Sequence, residues 1–270
     1  MTAARPNAFD HLRRAGGAAP VVVAHRGDSE HFAENTLPAF ESAARLGVAM
    51  QEFDVRATAD GVLVCIHDDS LDRTTDSALR VGPGMLVAGA TLAELHRFDA
   101  SSWHAKAPPG ALVPTLTEAL ATICSAGIAM IEHKAGEPQA YALAITPDLS
   151  PRCIVQSFDW EFVATFQRLV PEVGVALLGP TNRFAAMDRR AIEHATRLGA
   201  GMLHWHDSEL LAEQVDDAHA AGLLVCSYTT DDDLGLLGGA AMGIDAMCTN
   251  RPTRMLDLQR RGLRRPSPSG

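Results

Sequence analysis

Nowhere in these 270 residues does an apolar run approach the length that crosses a bilayer, about 20 residues. The opening stretch, MTAARPNAFDHLRRAGGAAP, holds no apolar leader segment either. The expectation is a protein retained in the cytoplasm, with no membrane span. Basic residues are scarce: 23 Lys and Arg stand against 33 Asp and Glu, a formal net charge of −10. That balance argues against nucleic acid or an anionic membrane as partner, while leaving room for a locally basic site. The five cysteines (65, 124, 153, 226 and 248) show no C-x-x-C spacing. Odd in number and set mostly within apolar segments, they read as small buried residues in a reducing compartment. Repeats and low-complexity tracts are absent as well, so no solenoid or linker architecture competes.

What the chain does have is a hydrophobic content of 47%, enough to fill the core of one large domain. Short apolar segments at 21–25, 50–55, 128–133, 153–157, 173–178, 201–205, 223–228 and 245–249 read as strands. Helical patterns fall between them at about 37–46, 116–126, 137–145, 159–169, 184–198, 208–221 and 231–241, with a last one from 253 to about 262. Apolar runs bounded by Gly, Pro and Asp fit strands buried on both faces. Eight such βα units are the number of a closed parallel (βα)8 TIM barrel, an α/β fold. The barrel would span 21–262, after an N-terminal extension (1–20) and before a disordered tail (263–270). No regular βα unit fits from Asp68 to Pro114, so a small inserted subdomain, about 69–114, is expected after the second strand.

The chemistry-bearing residues sit where these strands end. His25-Arg26-Gly27 closes the first, Glu52-Phe53-Asp54 the second, and Glu132-His133-Lys134 the third. Residues two apart on a strand share a face, so Glu52 with Asp54, and Glu132 with Lys134, point inward together. Asp60-Gly61 between extended segments signals a two-residue hairpin. Counting outward from it pairs Asp54 with His67. Three converging carboxylates need a cation, and a divalent metal suits them better than an ion pair with Arg26 or Arg56 alone. Gly27 would let a ligand approach the backbone. Asn35-Thr36 reads as a helix cap, and Leu71–Thr75 as a structural turn. His204-Trp205-His206 reads less as a metal site than as a place where His204 or Trp205 lines a substrate pocket. Two histidines that trade protons near neutral pH, beside a held cation, suit cleavage of a phosphate ester.

The stretches AHRGDSEHFAENTLPAFESAARLG and EFDVRATADGVLVCIHDDSLDRTTD closely resemble the glycerophosphodiester phosphodiesterase family. MIEHKAG is similar to the family's Glu-x-Lys strand end, IVQSFD to its Ser-Phe strand end, and MGIDAMCTNRP to its closing segment. The resemblance covers Val21 to about Pro252. It implies a (βα)8 barrel, a divalent cation (Mg²⁺ or Ca²⁺) and hydrolysis of small-molecule glycerophosphodiesters to glycerol 3-phosphate and an alcohol. It implies that the glycerol 2-hydroxyl attacks first, giving a cyclic phosphate that water opens. Carried over by motif, His25 and His67 are the acid–base pair. Glu52, Asp54 and Glu132 are the metal ligands, Arg26 and Lys134 contact phosphate, and Trp205 and Tyr228 line the substrate. The departures are Asn250 in place of Asp, Asp231 in place of Asn, Tyr228 in place of Trp and Ala33 in place of Pro. They bear on substrate preference more than on activity. Two other readings remain. A lysophospholipase D-like enzyme would use Met85-Leu86-Val87 as an acyl lip, and a non-catalytic phosphodiester-binding protein is suggested by Asn250.

Overall fold

A computed structural model describes residues 7–13 and 19–262. The tail expected at 263–270 lies outside the described residues, as do parts of the N-terminal extension. Among the described residues nine strands form: β1 (Val21–His25), β2 (Met50–Ala57), β3 (Leu63–Cys65), β4 (Ile128–His133), β5 (Cys153–Ser157), β6 (Gly174–Gly179), β7 (Met202–His206), β8 (Leu224–Tyr228) and β9 (Ala246–Thr249). Eight of them, all but β3, run parallel, and β1 pairs with both β2 and β9, so the sheet closes into a (βα)8 barrel. β3 is antiparallel to the end of β2.

The helices are α1 (Ala8–Arg13), α2 (Leu37–Arg45), α3 (Ser77–Val81), α4 (Leu92–Leu95), α5 (Leu116–Ile123), α6 (Pro138–Ala144), α7 (Trp160–Leu169), α8 (Arg189–Leu198), α9 (Ala212–Ala220), α10 (Asp233–Ala241) and α11 (Pro252–Arg260). Short polar side chains start several of them. Asp159, Asp188 and Asp232 accept hydrogen bonds from first-turn amides of α7, α8 and α10. Thr115 and Glu118 close a capping box on α5.

Strand alternation sorts the apolar residues into two cores. Phe53, Ile131, Leu203 and Trp205 face the helices, where they meet Phe40, Leu120 and Phe166. Met50, Met130, Ile154 and Met202 face the barrel axis. The same parity turns Glu52, Asp54, Glu132 and His204 toward the axis, above that apolar floor. All five cysteines are buried thiols.

Part of the N-terminal extension packs against the barrel. α1 lies under the barrel, with Phe9 4% exposed among the axial residues. A Cβ on Gly174 or Gly201, at the lower ends of β6 and β7, would come within 2.8 or 2.4 Å of the Phe9 ring, so only glycine admits it. Phe9→Ala should therefore cost about 3–5 kcal/mol of stability and leave kcat unchanged, since the ring sits at the end away from the strand-end acids. Thermal denaturation beside steady-state kinetics would check this. An unchanged melting temperature would deny α1 its role as a plug.

The insertion has a satellite core of its own, built from Val64, Ile66, Leu71, Val87, Leu95, Phe98 and Val113. Val87 is fully buried there and Met85 packs against it; only Leu86 is exposed. The triplet thus serves the subdomain, and an acyl lip loses its support.

Candidate active site

Register delivers the acids to one spot. His25 pairs with Glu52 across β1–β2, and Asp54 with Glu132 across β2–β4. Ligand oxygens of Glu52, Asp54 and Glu132 all lie within 4.8 Å of one another, on residues no more than 7% exposed. Among the described residues this is the one cluster with metal-binding geometry. Burial pushes Glu52 well above the usual carboxylate range, and its neighbours Asp54 and Glu132 push it further. Burial also raises Glu132, to about 7, with Asp54 adding to it. Asp54 alone is held low: burial would raise it, but Arg26 and Lys134 outweigh that. Both oxygens of Glu52 lack a hydrogen-bond partner. Buried, unpaired and crowded carboxylate oxygens are the donor set a hard divalent cation takes, so the residues fit a metal.

Two cations rim the cluster. Arg26 Nε lies 3.0 Å from Asp54 Oδ2, and Lys134 Nζ lies 3.3 Å from Asp54 Oδ1 and contacts Glu132. Burial would discharge them, yet the facing carboxylates keep both charged. His25 Nδ1 is 2.7 Å from Asn250 Oδ1, and its Nε2 is 3.8 Å from Glu52 Oε2. Burial, with Arg26 beside it, lowers the His25 pKa to about 4. His25, Glu52 and Glu132 share a cavity of about 30 Å³ with Phe158, Leu178, His204, Tyr228 and Cys248.

Several expectations need correction. The hairpin register is one residue off: Val55 pairs with Cys65 and Ala57 with Leu63, so Ile66, not His67, stands opposite Asp54. The turn holds three residues, Ala59-Asp60-Gly61, closed by Thr58 against Val62, with Gly61 at φ 77°. Burial lowers the His67 pKa while the nearby Asp54 charge works to raise it, and Arg56 Nε grips the His67 carbonyl at 2.8 Å. Trp205 does not line the pocket. It is wholly buried in the helix-facing core, and His204, one residue earlier, takes the inward position. Gly27 sits at φ 84°, and a Cβ there would lie 2.8 Å from the Ala39 backbone of α2, so close packing of that helix by itself requires the glycine. Asn35 is no cap. At φ 58° it donates from Nδ2 to Asp54 Oδ2 (2.9 Å) and accepts the Asp54 amide (3.2 Å), fixing that carboxylate. His133, by contrast, points toward the helices as strand parity implies, and stacks on Phe162.

The residue that the sequence reading missed is Arg73. Its guanidinium forks onto Asp68 (2.6 and 3.0 Å) and onto Glu34 (2.9 and 2.7 Å). Asp68 in turn holds His67 Nδ1 at 2.6 Å, and Glu34 holds Arg26 Nη1 at 2.7 Å. Arg73 keeps Asp68 below the usual carboxylate range, with His67 helping. One exposed-edge arginine thus ties together a histidine and an arginine of the site. Losing hydrogen bonds to charged groups costs about 1.5–3 kcal/mol each. Arg73→Ala should then lower kcat/KM roughly ten- to hundredfold. Arg73→Lys should recover only part of this, because an ammonium cannot fork onto both carboxylates. Kinetics of the two variants would show it; full activity in Arg73→Ala would reduce the bridge to surface decoration.

Residues 25–254 match the glycerophosphoryl diester phosphodiesterase family. The chain belongs to that family. It is a hydrolase of phosphodiesters by that membership. The Bacillus subtilis (strain 168) protein YhdW is 31% identical over 238 residues, covering 86% of this chain and 94% of its own. A glycerophosphodiester phosphodiesterase of Caldanaerobacter subterraneus is 29% identical over 250 residues, covering 90% and 98%. Among solved structures, an Oleispira antarctica phosphodiesterase in complex with sn-glycerol-3-phosphate superposes with a TM-score of 0.78 at 30% identity, covering 88% and 96%. No helix among the described residues is long and apolar enough to cross a membrane.

Proposed function

We propose that this enzyme hydrolyses glycerophosphodiesters, such as glycerophosphocholine or glycerophosphoethanolamine, to glycerol 3-phosphate and the free alcohol. The observation that carries this reading is the buried triad of Glu52, Asp54 and Glu132, with Arg26 and Lys134 on its rim and His25 beside it. The three carboxylates would hold a divalent ion, Mg²⁺ or Ca²⁺, which supplies Lewis acidity and a template for the substrate oxygens. Arg26 and Lys134 neutralise the charge that builds on the phosphoryl oxygens in the transition state. Of His25 and His67, one takes the proton of the attacking hydroxyl and the other returns one to the leaving alkoxide. Tyr228 and Phe158 form the wall beside His25, their rings edge to face at 6.0 Å. Beyond Phe158 a groove of about 460 Å³ gives the alcohol room. The Oleispira relative's bound sn-glycerol-3-phosphate supports the same product here.

Turnover of glycerophosphocholine, glycerophosphoethanolamine and a lysophospholipid, each with and without EDTA, tests the proposal. Metal-dependent release of glycerol 3-phosphate from the first two is the expected result. Turnover of the lysophospholipid alone would redirect the reading to a lysophospholipase D. No turnover of any would leave a binding protein.

A further inference from the structure

Asp231 and Asn250, at the mouth beside His25, are in direct contact. The Asp231 carboxylate takes three hydrogen bonds: Thr249 Oγ1 (3.0 Å) and the Asn250 amide (2.7 Å) on Oδ1, and Asn250 Nδ2 (2.7 Å) on Oδ2. A carboxylate only accepts, so the amide group of Asn250 must turn its NH₂ toward Asp231. Its carbonyl oxygen is thereby aimed at His25 Nδ1, at 2.7 Å, and also takes the Ser29 hydroxyl at 3.3 Å. A carbonyl oxygen has no proton to give, so the proton of that contact belongs to His25 Nδ1. On the other side of the ring, Glu52 Oε2 at 3.8 Å is too far to claim a proton from Nε2.

We infer that Asp231 is a positioning residue that, acting through the Asn250 side chain, fixes a proton on His25 Nδ1 and so leaves Nε2 as the ring nitrogen that exchanges a proton at the catalytic mouth. In its neutral form His25 is set to receive a proton there, which makes it the base of the first step and leaves His67 as the acid. This rests on the reading of His25 as an acid–base group. His67 is built differently: its Nδ1 faces the Asp68 carboxylate, which stabilises an imidazolium, whereas the neutral Asn250 carbonyl brings no charge to His25.

The network also says what breaks it. An asparagine at 231 has one oxygen, and the Asn250 backbone N–H claims it. Its NH₂ would then face Asn250, which must flip and offer its own NH₂ to His25. The proton of His25 is driven to Nε2 and the base is blocked. Exchanging the pair restores it, since an aspartate at 250 accepts from both His25 Nδ1 and the amide at 231.

The experiment compares wild type, Asp231→Asn, and the exchanged double variant Asp231→Asn/Asn250→Asp. It reads kcat on glycerophosphocholine and the ¹⁵N signals of His25, which distinguish a bare ring nitrogen from a protonated one. Asp231→Asn is expected to move the bare nitrogen from Nε2 to Nδ1 and to lower kcat on the order of 10²-fold. The double variant should return both readouts toward wild type. Unchanged His25 signals in Asp231→Asn would overturn the inference, as would a double variant no more active than the single one. His25→Ala separates the two claims. If it keeps turnover, the acid–base reading of His25 fails, while the ring-nitrogen signals still decide what Asp231 does.

Discussion

Alanine at His25 or at His67 is expected to lower kcat by about 10²–10⁴-fold, the range of a general acid or base, while the melting temperature barely moves. Both imidazoles keep some exposure, 17% for His25 and 35% for His67, so little packing is lost with either ring. The two variants should also differ in what they spare. A substrate with an acidic leaving alcohol needs no protonation on departure, so it should recover turnover in the variant that lacks the acid and not in the one that lacks the base. Near-wild-type kcat in either variant, on glycerophosphocholine, would remove that histidine from the reaction.

The second large effect concerns the metal-free protein. Three carboxylates buried together repel, and the repulsion shows in Glu132, whose pKa burial and Asp54 raise from 4.5 to about 7. Between those values the folded chain holds a proton that the unfolded chain has released. The folded state therefore binds more protons, and its stability falls as pH rises through that interval. Glu132→Gln mimics the protonated form at every pH. In EDTA it should match wild type near pH 4.5 and become more stable by on the order of 3 kcal/mol above pH 7. Asp54→Asn should behave otherwise: Asp54 is held low by Arg26 and Lys134, so neutralising it takes one carboxylate partner from each buried cation, leaving only Glu34 and Glu132, and should destabilise the fold. A divalent ion that binds only the folded wild type adds roughly 2.7 kcal/mol at a hundredfold excess over Kd. Neither variant should gain that amount. Calorimetry across pH, with EDTA or with Mg²⁺ or Ca²⁺, reads all of this; full metal stabilisation surviving in both variants would place the ion elsewhere.

The barrel was legible because its strands are apolar on both faces and stop at Gly, Pro or Asp, which leaves runs such as Val21–Ala24 and Cys153–Val155 unmistakable. The strand-end acids were legible because a period of two fixes which neighbours share a face. What period cannot fix is the phase of one strand against another. That is why Trp205 and His204 were not separable, although Met202 on the same face sits in the axial core. Asp-Gly serves both two- and three-residue hairpins, and only the Thr58–Val62 closure tells them apart. Arg73 reaches Glu34 across 39 positions, and Asp231 reaches Asn250 across 19. Each pair meets only once the strand ends crowd together. Phe9 escaped notice because a six-residue helix in a polar stretch has no periodicity to read.

Phe9 also decides how molecules come and go. With its ring pressed against Gly174 and Gly201 at the lower end, and Met50, Met130 and Met202 in the same axial core, the described residues close the barrel at the end away from the strand-end acids. On the proposed reaction, substrate and products would then enter and leave at the same end, so nothing is drawn through from one side and expelled at the other. A product that lingers stands in the path of the next substrate. If Arg26 and Lys134 grip phosphate as proposed, a tighter grip on the substrate would bring a slower exit for what it becomes, and added product should compete with substrate at that one end.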